Sequence, residues 1–136
     1  MKKRYYCAAA AFVLVAGMYI GRKVLDSASS SLMLVLVKRT KYIIKAINDR
    51  NYEKCHAAFA DDLKSSMSLT QMQNTFDPVV SALGSFIRIK SIDVDSRPDS
   101  ETGLMQCSMK CEYEHGQAQF NILYDSSLHV GGIYIK

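Results

Sequence analysis

At Gly84 the spacing of apolar residues changes, and the change restricts the folds open to this chain. Before it, Leu36, Thr40, Ile43 and Ile47 fall on one stripe, with Met33, Val37 and Ile44 beside them. That is the repeat of a helix with a broad buried face. After it, alternation takes over: Ile87 and Ile89, Ile92 and Val94, then Met105, Cys107, Met109, Cys111 and Tyr113, then Ala118, Phe120, Ile122 and Tyr124. A two-residue repeat is that of a strand with one face buried. Helices followed by an antiparallel meander predict an α+β fold, with helices covering one face of a curved sheet.

Local signals place the elements. A short hydrophobic run over 32–37 competes as a buried strand, but the stripe that continues to Ile47 favours a helix over 33–48. The pattern breaks at 48–51 and resumes as short helices that bury Tyr52, Ala58, Phe59 and Leu63. Ser68 and Gln71, three apart, form a capping box, and Gly84 is a stop signal, so 69–83 reads as helix. Pro78 interrupts it, and Asp77-Pro78 suits a restart as N-cap and first helical residue. In the sheet, the parity of apolar residues slips between Ile89 and Ile92, which predicts a bulge near Lys90-Ser91. Residues 97–103 read as a loop, 114–117 and 125–127 as turns, and Gly131-Gly132 as a bend or bulge.

Residues 5–21 form an uncharged apolar run between Lys2-Lys3-Arg4 and Arg22-Lys23, with tyrosines near both ends. As a helix the run spans roughly 25 Å, slightly less than the ~30 Å hydrocarbon core. A signal peptide has the same layout, but the small residues at 27–29 lie beyond Arg22, Lys23 and Asp26, a poor cleavage context. An uncleaved transmembrane anchor is therefore favoured over a secreted chain released by cleavage. The expected organisation is an anchor over 1–23, a polar linker over 24–31 and one domain over 32–136, with the tail inside and the domain outside the cytoplasm.

The net charge of +4 is mild, and the basic residues are scattered in small groups towards the N-terminus. That pattern suits a membrane flank, and no nucleic-acid signature accompanies it, so no nucleic-acid partner is expected. On a strand, Cys107 and Cys111 share a face but lie about 13 Å apart, too far for a disulfide between them or for one zinc ion. The stripe Met105, Cys107, Met109, Cys111 reads as core rather than metal ligands, with Cys55 left open to pair with Cys107 or Cys111 in an oxidising compartment. His56, His115 and His129 fall on a helix, a turn and a strand start, with no nucleophile in a recognised setting. No metal, cofactor or catalytic residue is expected.

The stretch "NDRNYEKCHAAFADDLKSSM" (48–67), with "SALGSF" (81–86) and "VGGIYI" (130–135), resembles a bacterial family of unknown function. That family has the nuclear-transport-factor-like, cystatin-like cone fold, and Arg50-Asn51 stands where its pattern has Gly-Asp. The resemblance covers roughly residues 33–136. It implies a bent sheet wrapped on a long helix around a tapered pocket, which Met109, Tyr113, Phe120 and Tyr124 would line. It supplies no catalytic motif, and the inward positions include no carboxylate for an isomerase of this fold. The expected function is that of a membrane-anchored, non-catalytic extracytoplasmic module that binds a small apolar ligand, peptide or envelope protein. The alternatives are a scaffold subunit of a membrane or secretion assembly, with a homodimer through the sheet, and an enzyme using the pocket.

Overall fold

The computed structural model describes Tyr5–Tyr6 and residues 27–136. Four helices, α1 (Ser27–Asn48), α2 (Tyr52–Ala57), α3 (Asp61–Ser66) and α4 (Leu69–Leu83), precede four strands. These are β2 (Phe86–Asp95), β3 (Met105–Tyr113), β4 (Gly116–Tyr124) and β5 (Val130–Ile135), and a two-residue strand β1 (Tyr5–Tyr6) completes the set. The sheet is antiparallel throughout, in the order β1-β5-β4-β3-β2. The α+β expectation holds.

The long helix lies on the sheet because its stripe is continuous. Leu36, Thr40, Ile43, Ile44 and Ile47 are all buried, and they share one core with the inward face of β3 and β4. α1 begins at Ser27, inside the stretch expected as linker, so 24–31 is not wholly a connector. Most of the run 5–21 lies outside the described residues. Its first two residues, however, are a strand: Tyr5 pairs with Ile135 and Tyr6 with Tyr134. Among the described residues no helix is long and apolar enough to cross a membrane.

α1 ends where Arg50 adopts a left-handed backbone (φ 62°). The Asn51 amide bonds back to the Ala46 carbonyl at 2.8 Å and the Arg50 amide to Ile47 at 2.9 Å, closing the last turn. Glycine is the residue that takes this conformation without strain, so an arginine here carries a backbone cost. Asn51 then caps α2, its side chain accepting from the Lys54 amide.

α4 opens with the capping box of Ser68 and Gln71 and ends at Gly84, as the sequence predicts. It differs at Pro78, which lies inside a helix that does not restart. Asp77 is not an N-cap. Its carboxylate instead accepts from Arg50 Nη1 and from the Tyr52 hydroxyl, both at 3.0 Å. Phe76, Val79 and Val80 bury themselves on both sides of the proline and hold the helix across the missing hydrogen bond.

In β2 the register slips between Ile89 and Ser91, where the bulge is expected, and once more between Phe86 and Arg88. The bulge brings Ile89, Ile92 and Val94 opposite Cys111, Met109 and Cys107, so all three share the helix-covered face. A third irregularity, at Gly131, separates the pairs Leu123–Gly132 and Tyr124–Val130.

Candidate functional site

The four residues expected to line a pocket are closed into the core. Met109 and Phe120 are fully buried, Tyr124 is 1% exposed and Tyr113 3%. α1 packs over them in the same core. Thr40 Oγ1 meets the Tyr124 hydroxyl at 2.7 Å, and Tyr113 donates to Asn48 Oδ1 at 2.6 Å. Two polar residues of the long helix thus satisfy the two tyrosine hydroxyls that point from the sheet, as burial requires. Burial also raises the pKa of both phenols, so both stay protonated at neutral pH.

The sulfur stripe is packing as well. Met105, Cys107, Met109 and Cys111 are buried along the inward face of β3. Cys107 and Cys111 are free thiols, so neither pairs with Cys55, which is also buried. Burial pushes both thiols up to about 11; Thr40 lowers Cys107 slightly and Asp93 raises it. A protonated, enclosed thiol is a poor nucleophile. Among the described residues no group of three His, Cys, Asp or Glu side chains could hold a metal ion.

The histidines do not converge. His56 Nε2 lies 2.9 Å from the Met67 carbonyl and its ring stacks at a tilt on Phe59. His115 sits at the β3–β4 turn, and His129 lies beside Asp125 just before β5. On the outer face, Ser108 donates to Asn121 Oδ1 at 2.6 Å and Gln119 donates to the same oxygen at 3.0 Å. The Asn121 side-chain Nδ2 is buried without a hydrogen-bond partner among the described residues.

What the described residues do offer is a cleft of about 790 Å³ at the C-terminal ends of α1 and α4. Ile44, Val80, Phe86 and Ile89 supply its apolar surface. Lys41, Lys45, Arg50, Asp49 and Glu114 supply charge, and Asn48, Gly84 and Ser85 complete the lining. Two of the three cations are neutralised locally: Lys45 by Asp49 at 2.9 Å and Arg50 by Asp77 at 3.0 Å. Lys41 has no ion-pair partner among the described residues, so it is the uncommitted positive charge of the cleft.

Backbone geometry sets the shape of this cleft. Gly84 has φ 82° and ψ −152°, a conformation essentially reserved for glycine. It lets the chain turn from α4 into β2 directly beneath the β3–β4 turn. There the Glu114 amide bonds to the Ser85 carbonyl and the His115 amide to Leu83, both at 2.8 Å. Alternation in the sequence identifies which strand residues face inward. It does not reveal a cleft assembled from the ends of two helices, one strand and a turn.

Searches of the curated proteins and of the solved structures match nothing. Residues 41–133, from within α1 to the middle of β5 and including the whole cleft, match a family described as "Protein of unknown function (DUF3887)". The chain belongs to that family.

Proposed function

We propose that this chain is a non-catalytic binding module of the nuclear-transport-factor-like cone type, held at a membrane, whose binding site is the cleft rather than the centre of the cone. The single observation that carries it is the pairing of an apolar surface (Ile44, Val80, Phe86, Ile89) with one uncommitted cation, Lys41. An apolar wall beside a cation orients an amphiphilic ligand by its charged end, and the Glu114 carboxylate on the cleft's lining keeps that anionic end on the Lys41 side. The fitting chemistry is a small apolar body with an anionic group, including the carboxylate end of a peptide.

The test is chemical-shift mapping of the full chain with 2-naphthoate as probe. Perturbed amides should cluster at Lys41, Ile44, Phe86 and Ile89, and Lys41→Glu should weaken binding several-fold. Perturbations elsewhere, or indifference to Lys41→Glu, would falsify the assignment.

Anchoring is a separate part of the proposal and rests on the uncharged run 5–21 between two basic groups. One observation favours a second reading, in which the N-terminus is held on the sheet. Tyr5–Tyr6 pairs with β5, and α1, which starts at Ser27, packs on the same sheet, so residues 5–6 and the chain from residue 27 onward stand on the domain's side. A single crossing separates the two ends of the run by the bilayer, so the pairing and the crossing exclude each other within one molecule. Alkaline carbonate extraction distinguishes them: an anchored chain stays with the membrane pellet, and a chain with its N-terminus on the sheet is released. For the anchored form, protease added outside wall-free cells should digest the domain; protection until lysis would reverse the orientation.

A further inference from the structure

β2 forms one border of the sheet, and its outer edge carries no strand among the described residues. Ten residues long, it exposes Phe86, Ile87 and Ile92 at 40%, 54% and 43%, whereas the apolar side chains of β3 are buried. Proteins usually protect such an edge with charge, because its free amides and carbonyls recruit another strand. Here the charges are sorted along the strand. Arg88 and Lys90 occupy the first half, and Asp93 and Asp95 the second. Laid antiparallel against an identical strand, each basic half meets an acidic half. A parallel, in-register approach brings like charges together.

The bulge restricts the register. By passing over Lys90 it leaves Ile89, Ile92 and Val94 on the helix-covered side, and Arg88, Ser91, Asp93 and Asp95 on the other. A two-fold axis perpendicular to a sheet keeps its faces, so it joins residues from the same side. With the axis at Ile92, that residue meets its own copy, Ile89 meets Val94, Ser91 meets Asp93 and Arg88 meets Asp95. Every pair matches in side, and Lys90 lies in the bulge beside the Asp93 of the other copy.

We propose that β2 pairs antiparallel with β2 of a second copy of this chain about a two-fold axis at Ile92, extending the sheet across a homodimer. A second copy is the occupant this edge fits because its charge order is self-complementary. The inference goes beyond the cleft reading and does not depend on it, since neither Lys90 nor Asp93 lines the cleft. A strand-edge contact is small, so the dimer belongs to the micromolar range of affinity.

Sedimentation velocity of the full-length chain in a non-ionic detergent tests it. A dimer should form at about 50 μM chain and dissociate on dilution. Lys90→Glu and Asp93→Lys each set like charges together at both symmetric contacts, so each variant alone should be monomeric with an unchanged circular-dichroism spectrum. An equimolar mixture should recover the dimer, because both contacts then join opposite charges. Ile92→Lys, on the axis, should also be monomeric. A wild-type monomer at this concentration, a dimer that survives both charge variants, or a mixture that stays monomeric would each overturn the proposal.

Discussion

The Tyr124 hydroxyl lies 2.7 Å from Thr40 Oγ1, a buried contact between residues 84 apart that ties β4 to the middle of α1. Neither group reaches water: the phenol depends on Thr40, while the Thr40 hydroxyl also meets the Cys107 thiol. Thr40→Val keeps the shape and strands the phenol; it is expected to cost about 1–3 kcal/mol by urea denaturation. Tyr124→Phe takes the phenol away from the threonine, which keeps the Cys107 thiol as its neighbour. The double variant should lose less than the two singles combined, since no phenol is left stranded. Additive losses would show that the contact carries no coupling.

Arg50 tests backbone strain. Its φ of 62° is costly for a side chain with a Cβ and most costly for a β-branched one. Its ion pair with Asp77 is about half exposed on both sides, so that pair contributes little. Arg50→Gly should therefore leave stability within about 1 kcal/mol of wild type or raise it. Arg50→Val, which loses the same ion pair, should lower it by about 1–2 kcal/mol. Equal effects of the two substitutions would assign the position's role to the side chain.

At Gly84 the obstacle is both conformation and space. An added Cβ would come within 2.8 Å of His115 Cδ2 and 2.9 Å of Glu114 Oε1. Gly84→Ala should lower stability by about 1–3 kcal/mol. It should also move the amide resonances of Ser85 and Glu114 at the cleft. Gly103 is the control, because it also has positive φ but nothing lies within 4 Å of its Cβ position. Gly103→Ala should shift the thermal midpoint less.

Much of this fold is legible in the sequence because periodicity reports burial directly. The stripe through Thr40 and Ile47 places α1, and the alternation from Met105 to Tyr113 places β3 and identifies its inward side. Local chemistry marks the ends, as with Ser68, Gln71 and Gly84. Other features depend on neighbours distant in sequence. Asp77 beside Pro78 carries the signature of a helix start, yet Arg50 and Tyr52 claim its carboxylate. Tyr113 and Tyr124 are inward residues, but whether they line a pocket depends on Asn48 and Thr40 reaching across from α1. The cleft is assembled from residues between Lys41 and Glu114, a distance over which no spacing rule operates.

The buried thiols give stability a pH dependence of definite sign. Cys107 and Cys111 titrate from a reference of 9.0 when unfolded, and burial pushes both up to about 11 in the fold. A folded value above the unfolded one means that folding favours the protonated form. Their contribution is complete below about pH 9 and is lost as pH rises towards 11. Tyr113 and Tyr124, also raised by burial, act in the same direction from about pH 10 upward. The urea midpoint should thus be flat through neutral pH and fall on the alkaline side, and Cys107→Ala or Cys111→Ala should shallow the first part of that fall. Each variant should also cost on the order of 1 kcal/mol at pH 7 through lost packing. In the native protein at pH 8, a thiol reagent should modify these two positions only as fast as the chain opens. A metal-bound stripe would behave differently: purified, reduced chain would carry one copper or zinc per molecule, and a chelator would lower its Tm. Stoichiometric metal that disappears in both single variants would show that the stripe is a site rather than core.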